Sequence, residues 1–157
     1  MRRASDISLT IKAKKQGDFK GGTKKEKRKN QIDIWDTNYR VVSPRDLSTG
    51  QATGRRQHEP LTVWTEVEGG AIPQAFQSLI TNEELTKVTL DYWRSNKDGT
   101  QAIFYTIELE QSVISELEIF CDEDGRPNAK ISFTFGKITM TWKDGNVTAT
   151  DTWHGTT

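Results

Sequence analysis

In this 157-residue sequence, catalytic or metal chemistry would have to come from two histidines and one run of carboxylates. His58 adjoins Glu59 and stands beside Pro60 at a strand start, which on paper makes an acid/base pair. Adjacent residues of a strand point to opposite faces, so these two side chains do not converge on one substrate. The pattern therefore gives a surface or edge histidine, and His154, in the tail, reads as solvated. Glu108, Glu110, Glu116, Glu118, Asp122, Glu123 and Asp124 could form a metal site or a surface for a basic partner. They lack the spacing of a calcium loop, and they read as the polar faces of two strand segments and a loop. No glycine-rich phosphate loop and no nucleophile elbow is present. Cys121 is the only cysteine, so neither an intrachain disulfide nor a cysteine zinc site can form. The expectation is a non-enzymatic protein with no catalytic residue, no metal and no cofactor.

Nucleic-acid chemistry has one candidate, the segment 12–29. It holds Lys12, Lys14, Lys15, Lys20, Lys24, Lys25, Lys27, Arg28 and Lys29 against only Asp18 and Glu26. Such an arm binds phosphates by releasing counterions. Its single aromatic, Phe19, gives no stacking platform for a single strand. With Gly17, Gly21 and Gly22 in it, the segment reads as a basic, mobile, poorly packed connection, solvated or facing a partner. Lys+Arg and Asp+Glu both count 22, so bulk charge also argues against a dedicated nucleic-acid or membrane binder. No run approaches the roughly 18 apolar residues that would span a bilayer, so no membrane insertion is expected. The start, Met1 to Asp6, has no apolar run behind its arginines. It predicts a chain made in the cytoplasm without a signal peptide, exported, if at all, by other means.

The elements that must position these residues are strands. Ile7, Leu9 and Ile11 alternate with polar residues, and Ile32 and Ile34 beside Trp35 mark a second strand. Leu61, Val63, Thr65 and Val67 form one face of a third, and Val88, Leu90 and Tyr92 one face of a fourth. Ile103, Tyr105, Ile107 and Leu109 belong to a fifth, and Val113 to Phe120 continues extended. Ile131, Phe133 and Phe135 are in phase, whereas Ile138, Met140 and Trp142 take the opposite phase. That slip predicts a bulge or bend at Gly136, the device that lets a sheet curl into a barrel. Asp98-Gly99 and Asp144-Gly145 are tight-hairpin signals. One segment is helical: Ile72, Ala75, Phe76, Leu79 and Ile80 make an apolar stripe about three turns long, with Pro73 in its first turn. Ser43 to Gly54 has no periodicity and reads as a long loop. Trp64 and Trp93 lie opposite the regular apolar faces, which suggests a second face that meets another subunit. The fold class is all-β with one short helix, a small antiparallel barrel or two packed sheets.

The segment Gly50 to Leu61, the Ile72-Pro73-Gln74-Ala75-Phe76 helix, the strand and turn Lys137 to Asn146 and the ending Thr150-Asp151-Thr152-Trp153 together resemble the Hcp family of type VI secretion tube proteins. The similarity covers Gln51 to Trp153 well, and the first fifty residues only in outline. The resemblance implies one barrel domain over residues 1–157 that assembles with itself as a homohexameric ring. Rings stack into a tube that a contractile sheath expels beneath a spike, with small effector proteins in the lumen. It also implies that the extended loop 43–58 reaches a neighbouring ring or protomer. Its candidate contacts are Arg45, Asp46, Thr53, Gly54, Arg55, Arg56 and His58. The rival readings are the tail-tube protein of a phage-like contractile device and, less favoured, a nucleic-acid binder using Lys12 to Lys29.

Overall fold

The computed structural model describes residues 6–154, so the first five residues, on which the reading of the chain's start rests, lie outside them. In chain order the elements are β1 (Ile7–Ala13), β2 (Gly17–Asp18), a 3-10 turn (Glu26–Arg28), β3 (Ile32–Asn38), β4 (Val41–Val42), β5 (Gln57–His58) and β6 (Leu61–Glu66). The helix α1 (Ala71–Thr81) follows, then β7 (Leu85–Ser95), β8 (Gln101–Cys121), β9 (Pro127–Thr134), β10 (Lys137–Trp142) and β11 (Val147–Thr152). The main sheet runs β11-β10-β8-β7-β1-β3-β6-β9, and β9 pairs with β8 as well. Six antiparallel strands, β8-β7-β1-β3-β6-β9, therefore close into a barrel, with β10 and β11 as a wing.

Closure depends on the 21-residue β8, which serves two neighbours. Its first half pairs with β7, from Ser95↔Gln101 to Leu85↔Ser112, and its second half with β9, from Val113↔Thr134 to Cys121↔Pro127. Along β8, Ile107 and Leu109 face the core and then Ser112 and Ile114 do, so the buried face changes at Gln111. Opposite it, Phe133 and Phe135 are buried and then Ile138 is, so the phase changes at Gly136. Gly136 N–H is shared between the carbonyls of Glu110 and Gln111, 3.0 Å from each, and Gln111 takes a left-handed φ of 51°. A Cβ on residue 136 would stand 2.7 Å from Gln111 Oε1, which is why glycine sits there. The slip expected at Gly136 is present, and the partner strand slips with it.

Alternation then fills the barrel. Leu9, Leu90 and Ile107 stand in one cross-strand row on the core face, and Ile11, Val88 and Leu109 in the next. From the other side, β6 contributes Leu61, Val63 and Thr65. The outer rows are polar and pair across strands, with Lys87 2.7 Å from Glu108 and Lys130 3.2 Å from Glu116. Both Asp-Gly signals mark hairpins, but through the longer loops 96–100 and 143–146, where Gly99 and Gly145 take φ of 87° and 90°.

Three expectations need correction. The helix does pack Ala71, Ile72, Ala75 and Ser78 inward, but Phe76 and Ile80 are more than half exposed. The buried stripe is thus rotated from the sequence stripe toward Ala71 and Ser78, and Ser78 is accommodated inside by its bond to Gln16 Nε2 at 2.9 Å. Segment 12–29 is not poorly packed. Phe19 is a core residue, and Glu83 fastens the β1–β2 turn within the segment by accepting the N–H groups of Lys15 and Gln16 at 2.8 Å. Arg28 is buried, binds Asp6 at 2.5 and 3.2 Å and lies 3.7 Å over the Trp93 ring. The outward face of Trp93 is therefore covered by this chain's own arginine, and its indole N–H is bonded to Ser8 Oγ at 2.9 Å.

Glycines hold the basic segment against the rest by backbone proximity. Gly21 bridges Gly69, and a Cβ on Gly21 would meet the Gln31 carbonyl oxygen at 2.1 Å. Gly21→Ala is expected to destabilise the fold by about 1–3 kcal/mol, the usual cost of overpacking. Gly54→Ala, in open space, is expected to be near neutral. Denaturant unfolding of the two variants beside the parent checks this, and equal stability of all three would refute it.

Candidate functional site

Among the described residues no cluster of histidine, cysteine and carboxylate side chains could hold a metal ion, and the prominent surface feature is a projecting arm. Residues 43–56 leave the barrel between β4 and β5, which pair at Val41↔His58 and Val42↔Gln57. The arm is internally ordered: Arg45 bridges Ala52, and Thr53 N–H reaches the Pro44 carbonyl at 3.0 Å. Asp46 closes its tip. Its N–H donates to the Gln51 carbonyl at 2.8 Å, its carbonyl accepts Gly50 N–H at 2.8 Å, and its side chain accepts Ser48 N–H at 2.8 Å. Gly50 at the turn takes φ 72°. Arg45, Asp46, Thr53, Gly54 and Arg55 are exposed along the arm, and Leu47 at its tip is 102 % exposed.

The base of the arm is fixed differently. Arg56 clamps Asp151 of β11 through Nε and Nη2, a two-point arginine–carboxylate pair. His58 Nε2 lies 2.8 Å from the same carboxylate, and its Nδ1 lies 2.5 Å from the Tyr39 hydroxyl. A carboxylate only accepts, so Nε2–H donates; in the neutral ring Nδ1 then accepts the Tyr39 O–H. The imidazole is stacked on Trp153 at 6.0 Å and meets Phe135 edge-on at 5.5 Å, while Phe135 and Trp153 contact at 4.9 Å. With its side chain 2 % exposed, His58 is an interior residue, which corrects the surface reading. It missed because Asp151 is 93 positions away and only the barrel brings β5 and β11 together. Glu59 does point elsewhere, to Arg40 at 3.1 Å, as strand alternation requires. His154 is exposed.

Electrostatics follow the contacts. The Arg56 bonds chiefly, with the His58 bond and against some burial, hold the Asp151 carboxyl well below the usual aspartate range. Burial, reinforced by the Asp151 charge, pushes the Tyr39 hydroxyl up to about 12. The arrangement packs His58 against aromatic rings and gives the Asp151 carboxylate two donor side chains. What it does is weld the base of an exposed arm to the wing of the barrel. Of the seven residues expected to act together, the structure groups Arg56 and His58 at the base and leaves the other five along the arm. Asp151, Tyr39, Phe135 and Trp153 complete the base.

A closed six-stranded antiparallel barrel with one flanking helix, a two-stranded wing and a welded arm defines the architecture of this chain, a small closed β-barrel. The chain belongs to the Hcp family: its residues 9–142 match the family described as "Type VI secretion system effector, Hcp". It is 31 % identical to the "Major exported protein" of Pseudomonas aeruginosa, over 96 % of each chain. A solved structure titled "Crystal structure of Hcp protein" superposes with a TM-score of 0.88 at 22 % identity, covering 96 % of this chain and all of the other. The secreted protein Hcp3 from Pseudomonas aeruginosa gives 0.80 at 25 % identity, over 96 % of this chain and 99 % of the other.

Two outcomes test the weld. Asp151→Asn is expected to speed amide exchange in residues 43–56 about tenfold, the scale of one lost charge-assisted bond, while the barrel strands exchange as before. Because its native value is lowered, Asp151 contributes its full stabilisation above 3.8 and loses it as pH falls through the native value. The acid-unfolding profile of the variant should therefore be flatter below that point. Tyr39 has the opposite sense: its contribution is complete below pH 10 and is lost as pH rises toward about 12. Spectrophotometric titration of the parent beside Tyr39→Phe should show one phenolate forming late.

Proposed function

We propose that this chain is the structural subunit of a type VI secretion inner tube. It forms homohexameric rings that stack and are expelled by a contractile sheath beneath a spike, with small effector proteins carried or sheltered in the lumen. The chain acts as one barrel domain made in the cytoplasm and exported through the apparatus itself, and it performs no catalysis. Its partners are its own copies, the sheath, the spike and the effectors. Membership of the Hcp family and the exported relative support the setting.

The observation that carries the assembly reading is the arm. An exposed loop that is ordered by its own hydrogen bonds, tipped by a fully exposed leucine and clamped at its base has lost its conformational entropy before meeting a partner. A copy-to-copy contact made by Arg45, Asp46, Leu47, Thr53, Gly54 and Arg55 gains from that preorganisation. Arg56 and His58 serve the same contact indirectly, by aiming the arm.

Negative-stain electron microscopy and sedimentation of the purified chain are expected to show rings of uniform diameter at several times 17.8 kDa. Leu47→Asp with Arg45→Glu should leave thermal stability within about 0.5 kcal/mol of the parent, as for exposed positions generally, and reduce the assembled fraction. A parent that stays monomeric at every concentration and salt would end the tube reading. Arm variants that assemble like the parent would end the role given to the arm.

A further inference from the structure

The zero net charge conceals a segregation along β8. Where the β7–β8 loop meets the 3-10 turn, a cleft of about 470 Å³ is framed by Lys25, Lys27, Arg28, Trp93, Thr100 and Gln101. Arg28 and Lys25 share Asp6, whereas Lys27 and the adjoining exposed Lys24 and Lys29 form no ion pair with any described residue. At the far end of β8 the sign inverts. Asp122 turns inward and accepts the N–H groups of Asp124 and Arg126 at 2.9 Å and Asn128 Nδ2 at 3.0 Å. That network stiffens the β8–β9 turn and leaves Glu123 and Asp124 exposed, without an ion pair to any described residue. One end of the molecule thus presents a concave basic surface beside a tryptophan. The other presents a convex, rigid, acidic turn.

We propose that the basic cleft beside Trp93 receives the acidic β8–β9 turn of a second copy of this chain. The inference rests on the self-assembly proposed above and adds to it a polarity and a chemistry. Two copies of either end repel each other, so the contact is heterologous, head to tail, and propagates in one direction. Exposed charges at both ends, none with an ion pair to a described residue, steer the encounter and make the contact salt-sensitive. Trp93, already held by Arg28 and Ser8, supplies a fixed wall to the cleft. The arm is a separate device on a separate part of the chain.

Charge reversal tests the docking with two variants. Lys24→Glu with Lys27→Glu makes both ends acidic, and Glu123→Lys with Asp124→Lys makes both ends basic. All four positions are exposed, and circular dichroism with thermal melting verifies that each variant folds. Sedimentation and electron microscopy at low salt should show each variant alone losing stacked or higher-mass species about tenfold or more, the scale of like-charge juxtaposition. An equimolar mixture should recover them, since each altered end then meets its complement. High salt should shorten parental assemblies. Either variant assembling alone like the parent, or a mixture that fails to recover, would overturn the docking. Binding of single-stranded DNA by the cleft, with the same assembly in parent, variants and mixture, would assign the cleft to nucleic acid and overturn it as well. Failure of the tube reading is distinguishable, because the unmodified chain would then be a monomer before any variant is made.

Discussion

Gln111 and Gly136 face each other at the point where the longest ribbon of the molecule changes its buried side. A strand whose side chains alternate cannot move its apolar set to the other face without an extra residue. Here both strands insert that residue together, Gln111 in a left-handed conformation and Gly136 sharing its N–H between two carbonyls. On one side of the pinch the ribbon belongs to the barrel, with β9 reaching β6 and closing it. On the other side it belongs to the wing, where β10 turns outward to β11. Without the slip, Ile138 and Met140 would face the same way as Thr134, and the apolar face of the wing would turn away from the side that buries Phe133 and Phe135.

The pinch also sets the functional surface. Gly136 carbonyl accepts Trp153 N–H at 3.0 Å, which places the Trp153 ring against Phe135 and His58. Asp151, two residues earlier on the wing, is thereby presented to Arg56 and His58. The arm is therefore held by the end of the chain, across the closure of the barrel. Two aromatic rings and one carboxylate fix a segment that has no core of its own. A partly exposed ion pair is weak when isolated. This one gains from arginine's two-point geometry and from a histidine locked between Tyr39 and Asp151.

The polar exterior is organised rather than merely solvated. The carboxylates of β8 stand in cross-strand pairs with lysines, Glu108 with Lys87 and Glu110 with Lys137, so the acidic run in the sequence becomes a neutralised face. The lysine-rich segment becomes a strap whose Phe19 enters the core and whose Arg28 roofs Trp93. Lys24, Lys27 and Lys29 near the start of β8, and Glu123 and Asp124 beyond its end, form no ion pair with any described residue.

Strand periodicity, the bulge at Gly136, the single helix and the family motifs from Gln51 to Trp153 were all legible in the amino-acid sequence, because each is a local pattern of spacing. Local spacing also gave the opposite facing of His58 and Glu59. What it could not give is who lies opposite whom once the barrel closes. His58 looked like a surface residue because Asp151 and Trp153 are distant in the chain, and Arg56 looked like a free interface charge for the same reason. Segment 12–29 looked mobile because its lysines outnumber its anchors, yet one buried phenylalanine, one buried arginine and three close glycine contacts suffice to order it. Burial and pairing are properties of space rather than of sequence distance, so only the closed barrel decided them.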